Sequence, residues 1–186
     1  MTLNNNNRAL IKKQIKDILT SDQCESRLSE ITGDPQMSTI NALMTFLISP
    51  DPAIKNRTIQ ALALVVSKIA GQDIEQARTI MRRLFWSLNE ESGAVGWGAA
   101  EAIGEILATN DQLAAEYHGI LPTFINPEIS YLEHDPLLKE VLLGIERLGH
   151  KRPDLIKDVK PLLEHFLTKE DAEFKKIVLR ILSLIK

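Results

Sequence analysis

Asp51-Pro52-Ala53-Ile54-Lys55-Asn56-Arg57 opens a segment that returns in altered form three more times along the chain. The later copies begin Ser92-Gly93-Ala94-Val95-Gly96-Trp97-Gly98, Asp135-Pro136-Leu137-Leu138-Lys139-Glu140 and Asp171-Ala172-Glu173-Phe174-Lys175-Lys176. Each is a turn signal followed by a helical stretch. Behind the first, Ile59, Leu62, Val66 and Ile69 form one helical stripe, closed by Gly71. Repetition of a short helical unit points to stacked helix pairs, because one pair alone cannot bury its apolar face.

Outward from this segment the spacing stays helical. Leu10, Ile11, Ile15, Ile18 and Leu19 form one stripe, and Ile40, Leu43, Met44 and Leu47 another. A short helix from Cys24 to Ile31 is stopped by Gly33 and Pro35. Asp73 is placed to cap a helix from Ile74 to Leu88, since its carboxylate can accept an otherwise unpaired amide hydrogen. Further helices are expected from Ser92 or Gly93 to about Thr109, and over 112–125, 136–148, 153–167 and 171–185. The strand-like run Ile129-Ser130-Tyr131-Leu132 is too short and isolated to build a sheet. The expectation is an all-α, right-handed solenoid of about four helix pairs. Residues 1–35 form an N-terminal helical cap on a repeat array spanning 36–186, all within one structural domain.

The copies register on Gln60, Glu101 and Glu146, followed by Ala61-Leu62, Ala102-Ile103 and Arg147-Leu148. Pro122 and Pro161 align in the first helices of two pairs, where a proline is expected to kink the helix. With Asp51, Ile54, Arg57, Ala61 and Leu62 in one copy and Val95, Ala99, Ala102, Ile103 and Gly104 in the next, the chain resembles the HEAT-repeat family. The resemblance covers roughly residues 36–186 and implies the fold. It implies almost nothing about activity, since HEAT-like arrays serve unrelated roles.

One segment departs from a plain repeat. Trp86-Ser87-Leu88-Asn89-Glu90-Glu91-Ser92-Gly93 continues through Gly96-Trp97-Gly98-Ala99 to Glu101 and Gly104-Glu105, and holds both tryptophans. Glycine inside a helix is unfavourable by about 1 kcal/mol against alanine, so Gly96 and Gly98 around Trp97 need a reason. Close approach of a neighbour or ligand to the backbone would supply one. The string is similar to the signature of a small bacterial HEAT-like family, and that resemblance directs attention to Asn89, Glu90, Glu91, Ser92, Trp97, Glu101 and Glu105. If the helix runs unbroken, Trp97, Glu101 and Glu105 share one face at i, i+4 and i+8. They would then form an aromatic anchor with two carboxylates on the concave surface, with Asn89 and Glu90 in the preceding turn and Arg82 or Arg83 neutralising an acid. The plainer alternative makes Glu101 and Glu105 a solvated face, and Glu90 and Glu91 first-turn charges. Trp86, among Leu84, Phe85 and Leu88, is expected in the core.

Composition excludes several function classes. The chain of 186 residues is 44% hydrophobic, enough for a sizeable core. A net charge of −3 argues against nucleic acid or an anionic membrane as partner, although Arg8, Lys12, Lys13 and Lys16 form a local basic patch. No apolar run reaches the ~20 residues of a membrane span. One cysteine, Cys24, and a start without an apolar export core favour a cytoplasmic location. His118, His134, His150 and His165 are scattered, so no zinc site is expected, and Glu133-His134-Asp135 points its three groups in different directions. No phosphate loop or nucleophile elbow occurs, and no cofactor is expected. The reading is a non-enzymatic protein- or peptide-binding adaptor that selects a basic or hydrogen-bond-donating partner. The alternative is a small enzyme using the acids near Trp97. HEAT-like bilin lyases and DNA glycosylases suggest such chemistry, but acids in the groove would repel a phosphate backbone.

Overall fold

The computed structural model describes residues 8–33, 35–89 and 96–185, and every regular element within them is helical. The α-helices are α1 (Arg8–Leu19), α2 (Cys24–Thr32), α3 (Met37–Met44), α4 (Pro52–Ala70), α5 (Ile74–Leu88), α6 (Ala99–Thr109), α7 (Asp111–Tyr117), α8 (Asp135–Lys151), α9 (Lys160–Leu167) and α10 (Ala172–Leu184). Two 3-10 turns, Leu121–Ile125 and Pro153–Val159, complete the path. The architecture is an all-α solenoid of helical repeats. Residues 129–132 contain no strand.

The helix starts follow the turn chemistry. Asp51 Oδ1 accepts the amide hydrogens of Ala53 at 2.8 Å and Ile54 at 3.4 Å, with Pro52 in the first turn of α4. Asp171 accepts from Glu173 at 2.8 Å to open α10, and Asp73 accepts from Gln76 at 3.1 Å at the head of α5. At α8 the cap falls one residue earlier than the Asp-Pro signal: His134 Nδ1 accepts from Leu137 at 3.4 Å.

The two aligned prolines do not kink continuous helices. The expected helix over 112–125 is divided into α7 and a separate 3-10 turn, with Pro122 in the first turn of the latter. The expected helix over 153–167 is likewise a 3-10 turn followed by α9, with Pro161 in the first turn of α9. The first turn is where a missing amide hydrogen goes unmissed, so the chain re-nucleates there rather than bending.

The molecule divides into two compact units, one ending at Arg83 and the other beginning at Leu84, so the division falls inside α5. In the first unit α1 packs on α3 and α2 on α4, around Ile11, Ile15, Ile18, Ile31, Ile40, Leu43, Ile59 and Leu62, all essentially buried. Helices α1 and α2 thus share their core with α3 and α4. Arg57 of α4 donates to the Leu19 carbonyl at 2.8 Å and satisfies the end of α1. In the second unit α6, α8 and α10 stack in succession. Phe85 lies parallel to Phe124 with ring centroids 6.2 Å apart, and Phe166 to Phe174 at 5.5 Å. Each such ring, fully buried, contributes about 1.5–3 kcal/mol by leaving water.

On α5, Met81, Leu84, Phe85 and Leu88 form the buried stripe at i, i+3, i+4 and i+7. Trp86 lies off that stripe and is 72% exposed, correcting the expectation of a core tryptophan.

Candidate functional site

The site residues belong to the second unit and centre on α6. This helix begins at Ala99, with Gly98 as its N-cap at φ 77°, a left-handed conformation that glycine adopts without strain. The expected start at Ser92 or Gly93, together with Glu90 and Glu91, lies outside the described residues. Trp97 precedes the helix. It therefore does not share a helix face with Glu101 and Glu105 as the i, i+4, i+8 spacing suggested, and the physical reason is the chain reversal at Gly98.

The two glycines around Trp97 are explained by the protein's own packing. A Cβ on Gly96 would stand 2.7 Å from the carbonyl oxygen of Ser87 at the end of α5, to which the Gly96 amide donates at 3.1 Å. Gly98 supplies the left-handed turn, and its amide hydrogen goes to Glu140 Oε2 of α8 at 2.6 Å. Glu140 is buried, and its carboxylate accepts the amide of the α6 N-cap residue, whereas Asp51 accepts amides within the first turn of α4.

The Trp97 indole is 36% exposed and stands edge-on to the His134 ring, centroids 5.6 Å apart. His134 in turn caps α8, so the α8 N-terminus fixes one side of the indole. Asn89 is exposed at the end of α5, its amide donating to the Trp86 carbonyl at 3.0 Å.

Glu101 is 7% exposed and is not a solvated acid. Its Oε2 accepts from both Nε (3.2 Å) and Nη2 (3.1 Å) of Arg147 on α8, while Arg147 Nη1 donates to Glu105 Oε2 at 3.0 Å. One guanidinium thus holds both acids, in the planar, multidentate manner that distinguishes arginine from lysine. For Glu101 and Glu105 the neutralising cation is Arg147 and not Arg82 or Arg83. Arg82 donates to Thr79 at 2.9 Å, and Arg83 donates to the side-chain oxygen of Asn41. The motif repeats one step on: Glu146 receives Arg180 of α10 bidentately, at 2.5 and 2.7 Å. The register positions Glu101 and Glu146 are the acids of a ladder running across α6, α8 and α10.

The helices can approach so closely because glycines line the seam. A Cβ on Gly104 would lie 2.0 Å from the Gly144 carbonyl oxygen, and one on Gly144 would lie 2.3 Å from the Ala100 carbonyl oxygen. Backbone meets backbone there, and the ion pairs flank the contact.

The sequence pattern marks Trp97, Glu101 and Glu105, whereas Arg147, Glu140 and His134 join them only through the packing of α8. The signal for Arg147 was present. Two acids four residues apart on a helix otherwise made of Ala, Gly, Ile, Leu and Thr call for a cation from the neighbouring helix, and Arg147 directly follows the register partner Glu146. Among the described residues, no group of His, Cys, Asp and Glu is arranged to hold a metal ion, and no helix is long and apolar enough to cross a membrane.

No family model matches the chain. It is 32% identical over 120 residues to an uncharacterized protein of Archaeoglobus fulgidus, an alignment covering 64% of this chain and 56% of that one, so the chain matches little more than half the length of this relative. Among solved structures, the crystal structure of an engineered protein aligns over 98% of this chain and 76% of its own, with a TM-score of 0.56 and 20% identity. A second engineered protein aligns over 94% of this chain and 47% of its own, with a TM-score of 0.50 and 19% identity. Identities this low speak to fold alone.

Proposed function

We propose that the protein is a non-catalytic scaffold of the HEAT-like kind, which binds a protein or peptide partner through the surface around Trp97. The observation that carries this reading is the joint state of the indole and the acids. Trp97 stands partly in solvent against the capped start of α8, while the carboxylates of α6, the helix that follows it, are fixed by Arg147. A rigid, partly exposed tryptophan offers contact area with little entropy to lose, as binding hot spots do. Glu105 keeps about a quarter of its side chain in solvent and can accept a hydrogen bond from a basic or donor group on the partner. Asn89 supplies a further polar contact at the rim. Glu101, buried against Arg147, holds α6 to α8 rather than touching the partner.

The same geometry disfavours the enzymatic alternative. A general base needs a free carboxylate near its substrate, and both acids already carry guanidinium hydrogen bonds. A single cysteine, buried in α2 with its thiol pKa raised by desolvation, fits a reducing cytoplasm.

Trp97→Ala combined with Glu105→Gln tests the proposal, because both side chains reach solvent and the fold should tolerate the change. A photo-crosslinking residue placed at position 89 should capture a discrete partner in cells from the wild-type background and lose it in the double variant, at an unchanged melting temperature. Equal capture by both proteins rejects this surface as the binding site.

A further inference from the structure

The first unit contains a small cavity of about 180 Å³ between α1 and α3, lined by Arg8, Lys12, Ser38, Asn41, Ala42 and Thr45. Its polar groups share one character. Arg8 and Lys12 are exposed cations one helical turn apart on α1. Asn41 turns its side-chain oxygen to Arg83, and arginine has only donors, so the Asn41 NH2 group is the part left to face other partners. Ser38 Oγ has no hydrogen-bond partner and is shielded from solvent, so an unspent donor lies in the cavity wall, within reach of a ligand by rotation about the Ser38 Cα–Cβ bond. Thr45 spends its hydroxyl hydrogen on the Ala42 carbonyl at 2.8 Å, which leaves its lone pairs outward. None of the lining residues is acidic.

We infer that this cavity is a binding site for a phosphoryl group. Two cations, an amide NH2 and a hydroxyl are four kinds of donor that only an anion rich in acceptor oxygens can satisfy together. Cavities for drug-sized molecules run to roughly 300–1,000 Å³, so this one takes a single charged group rather than a whole metabolite. A phosphoryl group presents three terminal oxygens to the donors and, when singly protonated, one hydrogen to the Thr45 oxygen. A carboxylate offers only two oxygens for the same donors. The basic patch on α1, set against an overall charge of −3, thereby acquires a role that a scaffold surface at Trp97 does not use.

Calorimetric titration with inorganic phosphate, at ionic strength held constant with chloride, tests the assignment. The wild type should bind one phosphate saturably, and Arg8→Gln with Lys12→Gln should weaken binding at least about tenfold, because each removes a charge-assisted hydrogen bond. Ser38→Ala should weaken it further without altering the melting temperature in chloride. Phosphate behaving as chloride does, acetate binding as tightly as phosphate, or the double variant retaining wild-type affinity would each overturn the assignment. O-phosphoserine and a nucleoside 5′-monophosphate, titrated alongside, distinguish the sources. Tighter binding of one of them names the carrier, and equal binding of all three assigns the free ion. Amide shifts of Ser38 and Asn41 in wild-type protein give a readout independent of the variants, and their indifference to phosphate counts against the site.

Discussion

Helices α4 and α6 occupy the same register position in two copies of the repeat, yet they are held in opposite ways. α4 runs for 19 residues, carries its own cap in Asp51 and its own first-turn proline, and ends at Gly71. α6 has 11 residues, starts from a left-handed glycine that offers no side-chain cap, and gives the amide of that glycine to Glu140 on α8. α4 is a helix that its own sequence largely specifies. α6 is small-residue, glycine-containing and almost wholly buried, so it depends on α8 to exist as a helix. Local signals therefore determine one half of this comparison and tertiary contacts the other.

The largest test breaks α6 from α8 at its charges. Arg147→Ala leaves Glu101 buried without its cation, and urea unfolding should show a loss of about 3 kcal/mol, the lower end for broken buried pairs because Arg147 retains some solvent access. Exchanging Arg147, Glu101 and Glu105 together for apolar residues of similar volume should recover most of that loss. A loss below about 1 kcal/mol for the single variant would make the pair an ordinary surface bridge.

Next in size is the glycine seam. Gly104→Ala drives a methyl group into the Gly144 backbone and should lower stability by about 2 kcal/mol. Gly119→Ala is the control, because nothing lies within 4 Å of the added carbon, and it should be neutral or slightly stabilising. Similar melting shifts for the two variants would deny the close approach.

The smallest effects sharpen the contrast between the caps. Asp51→Ala removes a local cap and should lose about 1 kcal/mol, with faster amide exchange confined to the first turn of α4. Glu140→Ala removes the buried acceptor of the Gly98 amide and should lose about 1.5 kcal/mol, with exchange accelerated along all of α6. Exchange confined to Gly98 alone would show that α6 is as self-sufficient as α4.

What could be read from the residues follows the same division. The limits of α5 over 74–88 and the body of α4 were legible, because caps, stripe and stop lie within each segment. Pro122 and Pro161 were located but their effect was misjudged, since alignment shows where a proline sits and not whether the helix before it has already ended. Trp86 was drawn to the core by its neighbours' composition, whereas the phase of the stripe turns it outward. The glycines on either side of Trp97 mark it in the sequence as a special position. Its geometry hinged on φ at Gly98, and a lone glycine does not announce its sign of φ in a sequence. Arg147 and Glu140 lay beyond local reading because they act on residues more than forty positions away.

The adjacent pair Glu146 and Arg147 gives α8 two faces of opposite sign, base toward α6 and acid toward α10. Such a rung therefore offers an acid forward and a base backward. Removing or duplicating such a rung would still bring unlike charges together at the new joint, whereas turning one end for end would set acid beside acid. The polarity of the stack is fixed by these side chains while its length is left open, which is the condition under which a repeat protein can grow or shorten by whole modules.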